Sequence, residues 1–116
     1  MVKQICRVTL VMAAWLAVMG VASAQDQKQM DRGMKVYADQ KCSMCHSIGG
    51  KGNVKGPLDD VGNRLTADEI REWMINPPEM TKKTKAERKP AMRAYPKLPK
   101  EDLDAVVAYM LSLKKK

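Results

Sequence analysis

Cys42-Ser43-Met44-Cys45-His46 decides how the rest of this 116-residue chain is read. Two thiols three positions apart, with an imidazole directly after the second, form the Cys-x-x-Cys-His pattern through which c-type haem is attached. The spacing has a chemical reason. The thiols add to the two vinyl groups on adjacent pyrrole edges, and the histidine after the second thiol then lies beneath the iron as its ligand. Other chemistries fit less well. Structural zinc takes four ligands, and beyond the N-terminal stretch the chain offers two thiols and its single histidine. A thiol–disulfide enzyme sets Cys-x-x-Cys beside a βαβ pattern, which is missing here. A plain disulfide would leave His46 unexplained.

Outward from the motif, the N-terminus reads as a leader. Lys3 and Arg7 give a positive start, Val8 to Gly20 is an apolar run, and Val21-Ala22-Ser23-Ala24 supplies small residues for cleavage after Ala24. The run is shorter than the ~20 apolar residues of a spanning helix, so an uncleaved anchor is the weaker reading. Residues 1–24 are therefore expected to be a secretory signal peptide, and 25–116 one exported, periplasmic domain. Losing Lys3 and Arg7 lowers the net charge from +8 to +6, and Cys6 leaves as well. With no Phe, and Tyr37, Trp73, Tyr95 and Tyr109 as its only large rings, so small a domain calls for something besides side chains to fill its core.

The pattern beyond residue 25 is all-α, with three main helices. The first spans about Gln27 to Gln40, with Met30, Met34 and Tyr37 on one face and Gly33 beside them. A mid-helix glycine costs about 1 kcal/mol relative to alanine, so Gly33 points to a close approach by another element. The second starts at Thr66-Ala67-Asp68-Glu69, which has the form of a capping box, and stops at Pro77-Pro78. The third starts near Pro99, with Leu103, Val106, Val107 and Met110 spaced as one buried face. Ser47 to Gly62, with five glycines, and the proline- and charge-rich stretch Asn76 to Leu98 are expected to be irregular. Loops of that length in so small a domain make sense if they wrap a cofactor.

In this order of pieces the chain resembles the class I c-type cytochromes, and the resemblance spans essentially all of residues 25–116. It implies the small cytochrome c fold, with irregular loops wrapped round one covalent haem c and its iron. Gly33 and Tyr37 match that family's first-helix glycine and aromatic, which implies packing against Val106, Tyr109 and Met110 of the last helix. Gly56-Pro57-Leu58 resembles the segment whose proline carbonyl orients the histidine ligand, a part that falls to Pro57. Met92-Arg93-Ala94-Tyr95-Pro96-Lys97-Leu98 resembles the stretch that supplies a methionine ligand, so the implied axial pair is His46 and Met92. Met80 is the alternative; the two lie 34 and 46 residues after His46. Arg93 stands where the family commonly has proline. Arg64, Trp73 and Tyr95 are candidates to donate hydrogen bonds to the haem propionates, and Met30, Met34, Met74 and Met110 read as core filler.

These readings point to a one-electron carrier rather than an enzyme, shuttling between respiratory partners. The rival readings are a non-enzymatic haem subunit of a larger respiratory complex and an enzyme or gas sensor with an open iron site. Lys82, Lys83, Lys85, Arg88, Lys89, Arg93 and Lys97 crowd the methionine segment, with Glu87 the sole acid between Met80 and Lys100. The expected partners are therefore redox proteins with acidic docking surfaces. Nucleic acid is not expected, since no aromatic residues interleave the charges. A monomer without stable membrane insertion after cleavage completes the expectation.

Overall fold

A computed structural model describes residues 24–116; the leader read over 1–24 lies outside the described residues except for Ala24. Among the described residues, five helices form the frame: α1 over 24–39, α2 Val61–Arg64, α3 Ala67–Ile75, α4 Pro77–Thr84 and α5 Lys100–Ser112. A 3-10 turn at Cys42–Met44 follows α1, and β1 (Ser47–Ile48) and β2 (Lys51–Gly52) make a small antiparallel hairpin. Gly49 and Gly50 both have positive φ, 59° and 77°, as a tight two-residue hairpin turn demands.

Helix α5 is the spine. Its Ala105, Val106, Val107 and Met110 are buried, and α2 and α3 pack on it. Val36, Val61, Ile70 and Met74 complete the core with Val106, Val107 and Met110. Helix α1 crosses α5 at Gly33. A Cβ there would overlap the Ala105 carbonyl oxygen and stand 2.6 Å from Tyr109 Cβ, which is why this position has no side chain. One turn on, the rings of Tyr37 and Tyr109 meet edge to face, with centroids 6.2 Å apart and planes at 82°. Arg32 extends the seam, its Nε donating to Asp102 Oδ1 at 2.6 Å.

The capping box forms as its sequence predicts. Thr66 Oγ1 accepts from the Glu69 amide at 3.2 Å, and Glu69 Oε2 accepts from the Thr66 amide at 2.8 Å. Three expectations are corrected. Met34 is 51% exposed, and Val36 is the buried residue. With Gly33 facing α5, Val36 and Tyr37 fall within about 60° of it, whereas Met34 is turned about 100° away. Asn76 to Leu98 is not wholly irregular, because α4 begins at Pro77. Proline ends α3, having no amide to continue its ladder, yet it suits the first turn of the next helix. The stretch 47–62 is likewise not wholly irregular: it holds the β1–β2 hairpin and ends in the first residues of α2. Its Gly62 amide donates to Leu113 O at 2.8 Å, and a side chain there would strike the Leu111 carbonyl, so α2 closes on the end of α5.

Candidate functional site

The end of α1 delivers the attachment motif. Gln40 N donates to Val36 O, and Lys41, with φ 56°, turns the chain into the 3-10 turn. The Cys45 and His46 amides both donate to Cys42 O, at 3.1 and 2.9 Å, so Cys42, Cys45 and His46 are gathered on one tight turn. Asn53, just past the hairpin, locks that turn from outside. Its amide is shared between His46 O at 2.9 Å and Ser43 O at 3.0 Å, and its Nδ2 donates to Met44 O at 3.2 Å. Hairpin and motif thus hold each other through backbone groups.

His46 is half-buried. Its Nδ1 lies 3.1 Å from the Gly56 carbonyl oxygen. That acceptor corrects the assignment to Pro57, which is exposed. The reason is the pleat. Ser47 bridges Pro57 in parallel register, with Ser47 N donating to Gly56 O and Leu58 N donating to Ser47 O. The groups of residues 56 and 58 therefore face the motif, and the intervening Pro57 carbonyl faces the other way. A hydrogen bond donated by Nδ1 leaves Nε2 as the nitrogen free to ligate. Burial lowers the His46 pKa, the Gly56 bond opposes that, and the Arg88 charge lowers it further. The ring is thereby favoured in its neutral, ligating form.

Both cysteines of the attachment turn are unpaired, Cys42 half-buried and Cys45 exposed. Burial raises the Cys42 thiol pKa, partly offset by a backbone hydrogen bond and by Arg93. Beside Cys45 opens a cleft of about 570 Å³ lined by Met44, Cys45, Asn53, Lys55, Arg88, Lys89 and Pro90. Among the described residues no three His, Cys, Asp or Glu side chains gather as metal ligands. Two free thiols on one turn with an imidazole whose Nδ1 is committed to the backbone do suit a tethered haem.

The remaining candidates sit on other elements of the fold. Met92 is half-buried and packs against the core, while Met80 is buried within α4 and stands outside the core cluster. Tyr95 packs on the core, and its amide donates to Met74 O at 2.7 Å. Its hydroxyl accepts from Arg93 Nε at 3.2 Å, with the guanidinium 5.6 Å over the ring. Trp73 is half-buried and is not among the side chains packed on the core cluster. Arg64 is exposed, its Nε donating to Asp60 Oδ1 at 3.0 Å across one helical turn. Gly56, Asn53 and Arg88 were not foreseen as site residues. Gly56 could have been suspected from its place before Pro57; Arg88 carries no local signal.

The profile of a family described as cytochrome c matches residues 30–114. A curated relative is cytochrome c oxidase subunit 2 of Alkalihalophilus pseudofirmus, 30% identical over 110 residues. The match covers 87% of this chain and 31% of that protein, so the chain spans about a third of its relative's length. No solved structure matches.

Proposed function

Since this chain belongs to the cytochrome c family and so carries a covalent c-type haem with its iron, we propose that it is a periplasmic one-electron carrier with His46 and Met92 as axial ligands. The observation that carries the proposal is the His46 ring, fixed at Nδ1 by the Gly56 carbonyl and carried on the same tight turn as two free thiols. The haem, when bound, supplies a ferrous–ferric couple that exchanges single electrons. The chain's part is to hold its ligands still. Cys42 and Cys45 form the tether, and the Gly56 carbonyl keeps the imidazole oriented and more basic. Met92 brings a thioether, which favours the reduced state relative to a second imidazole. Arg64, Trp73 and Tyr95 are the proposed donors to the propionates, with Arg64 leaving Asp60 to do so.

The partners are redox proteins, and the proposed docking face is the basic segment. Lys82, Lys83, Lys85, Arg88, Lys89, Arg93 and Lys97 are all exposed, which suits steering toward an acidic surface. Because its relative is a subunit of an oxidase, an oxidase is a natural electron acceptor. The same likeness supports a second reading, in which the domain works as a fixed haem subunit of such a complex. Carbon monoxide tests the closed, two-ligand site. The reduced protein is expected to bind it poorly, and avid binding would establish an open site instead. For the docking face, the rate of electron transfer to an acidic partner should fall as ionic strength rises and the screening length drops below about 10 Å. A flat salt profile contradicts it. Gel filtration separates a free monomeric shuttle from a subunit that stays in a complex.

A further inference from the structure

Gly56 is a node as well as a hydrogen-bond acceptor. Its carbonyl takes both the Ser47 amide and the His46 Nδ1. Its Cα is held between two neighbours, since a Cβ would strike the Cys45 carbonyl oxygen on one side and Arg88 Nη1 on the other, with Arg88 Cζ 3.0 Å away. Arg88 comes from 42 residues beyond His46. It is exposed, yet its guanidinium lies against Gly56, and the Cys45 carbonyl on the other side leaves no room for a side chain there. Arg88 also shares the cleft beside Cys45 with Lys55 and Lys89, and no acid lines that cleft. Lys55 adjoins Gly56 in the chain; of the other two cations, Arg88 supplies the atom that stands nearest to where a Gly56 side chain would begin.

We propose that Arg88 is a positioning and tuning residue for His46, clamping the Gly56 peptide against the attachment turn and fixing a positive charge on the histidine side of the site. Two consequences follow from elementary electrostatics. A planar, weakly hydrated guanidinium over the peptide shields the Gly56–His46 hydrogen bond from water. A fixed cation disfavours any further positive charge beside it, and the oxidised site carries one more than the reduced. Arg88 therefore holds the site toward its reduced form. The inference rests on His46 being the axial ligand.

The test is a redox titration of the full holoprotein carrying Arg88→Gln, Arg88→Lys or Lys89→Gln. At a fixed ambient potential, Arg88→Gln should move the ferrous-to-ferric ratio about fourfold toward ferric, or about 35 mV at 59 mV per tenfold for one electron. Arg88→Lys keeps the charge and should recover most of the ratio. Lys89→Gln, in the same cleft but away from Gly56, should move it less than half as far. An unchanged ratio in Arg88→Gln overturns the proposal, and so does an equal shift in Lys89→Gln, which would make the effect a general surface charge. Arg88→Met, which keeps the stem, replaces the glutamine variant if that does not mature. A wild-type protein lacking His46 ligation would fail before this comparison begins, so the two failures are distinct.

Discussion

The two halves of the site are built differently. The attachment half, from Gln40 to Leu58, is closed by backbone bonds: Cys45, His46, Ser47, Asn53 and Leu58 all donate amides to carbonyls of the same stretch. In the methionine half, among the described residues, no backbone carbonyl accepts an amide from 87–94. That stretch is held by side chains, with Met92 on the core and Arg93 reaching Tyr95 and the Gln40 carbonyl. The proposed histidine ligand is thus fixed by the chain itself. The other sits on a segment whose order depends on what it touches, and Met92 bound to iron is the contact that would complete it.

The largest effect should come from breaking the attachment half. His46→Ala, with both thiols intact, should take the protein from one haem per chain with a low-spin spectrum to one without it; a native spectrum would show that another residue ligates the iron. The contrast between halves can be sharpened by hydrogen exchange on the holoprotein. Amides of Ser47, Asn53 and Leu58 should exchange at least about tenfold more slowly than those of 87–94, since exchange follows local opening. Equal rates would mean the two segments open together.

Gly33→Ala probes the frame both halves share. The added methyl must enter the α1–α5 contact, and overpacking of this kind costs about 1–3 kcal/mol, readable as a lower denaturation midpoint. No loss would mean that α1 can move off α5. Smaller still, Thr66→Ala should cost about 1 kcal/mol by removing the α3 cap. The pH dependence gives a check. The Thr66 amide and hydroxyl hold the Glu69 carboxyl below its ordinary value. The part of the wild-type advantage that comes from the Thr66 hydroxyl on that carboxylate should therefore be full above the ordinary carboxylate pKa and fade as pH falls through the lowered one, while the amide's part is common to both proteins. An advantage that grew on acidification would contradict the cap.

Much of the frame was legible because local rules decide it. Thr66-Ala67-Asp68-Glu69 forms its capping box, Gly33 marks a close crossing, and the α5 spacing gives the buried face. What escaped depends on direction rather than residue type. Sequence pattern placed Met34 with Tyr37, but the crossing point on α1 is Gly33, which turns Met34 outward and Val36 in. Pro57 was the expected acceptor, whereas a one-residue alternation along the Ser47 bridge hands that part to Gly56. Pro77-Pro78 stops one helix and starts the next, since proline's missing amide matters only inside a helix. Arg88 was invisible for another reason. Its partner is 32 residues away, and nothing in a local pattern reports a contact made by a long side chain across the site.

The central claim is the pairing of His46 with Met92, and the optical spectrum of the ferric protein tests it most directly. Wild type should show the weak sulfur-to-iron band, Met80→Ala should keep it, and Met92→Ala should lose it while the haem stays covalently attached. A band that survives in Met92→Ala but vanishes in Met80→Ala, or one missing from the wild type, would contradict the account.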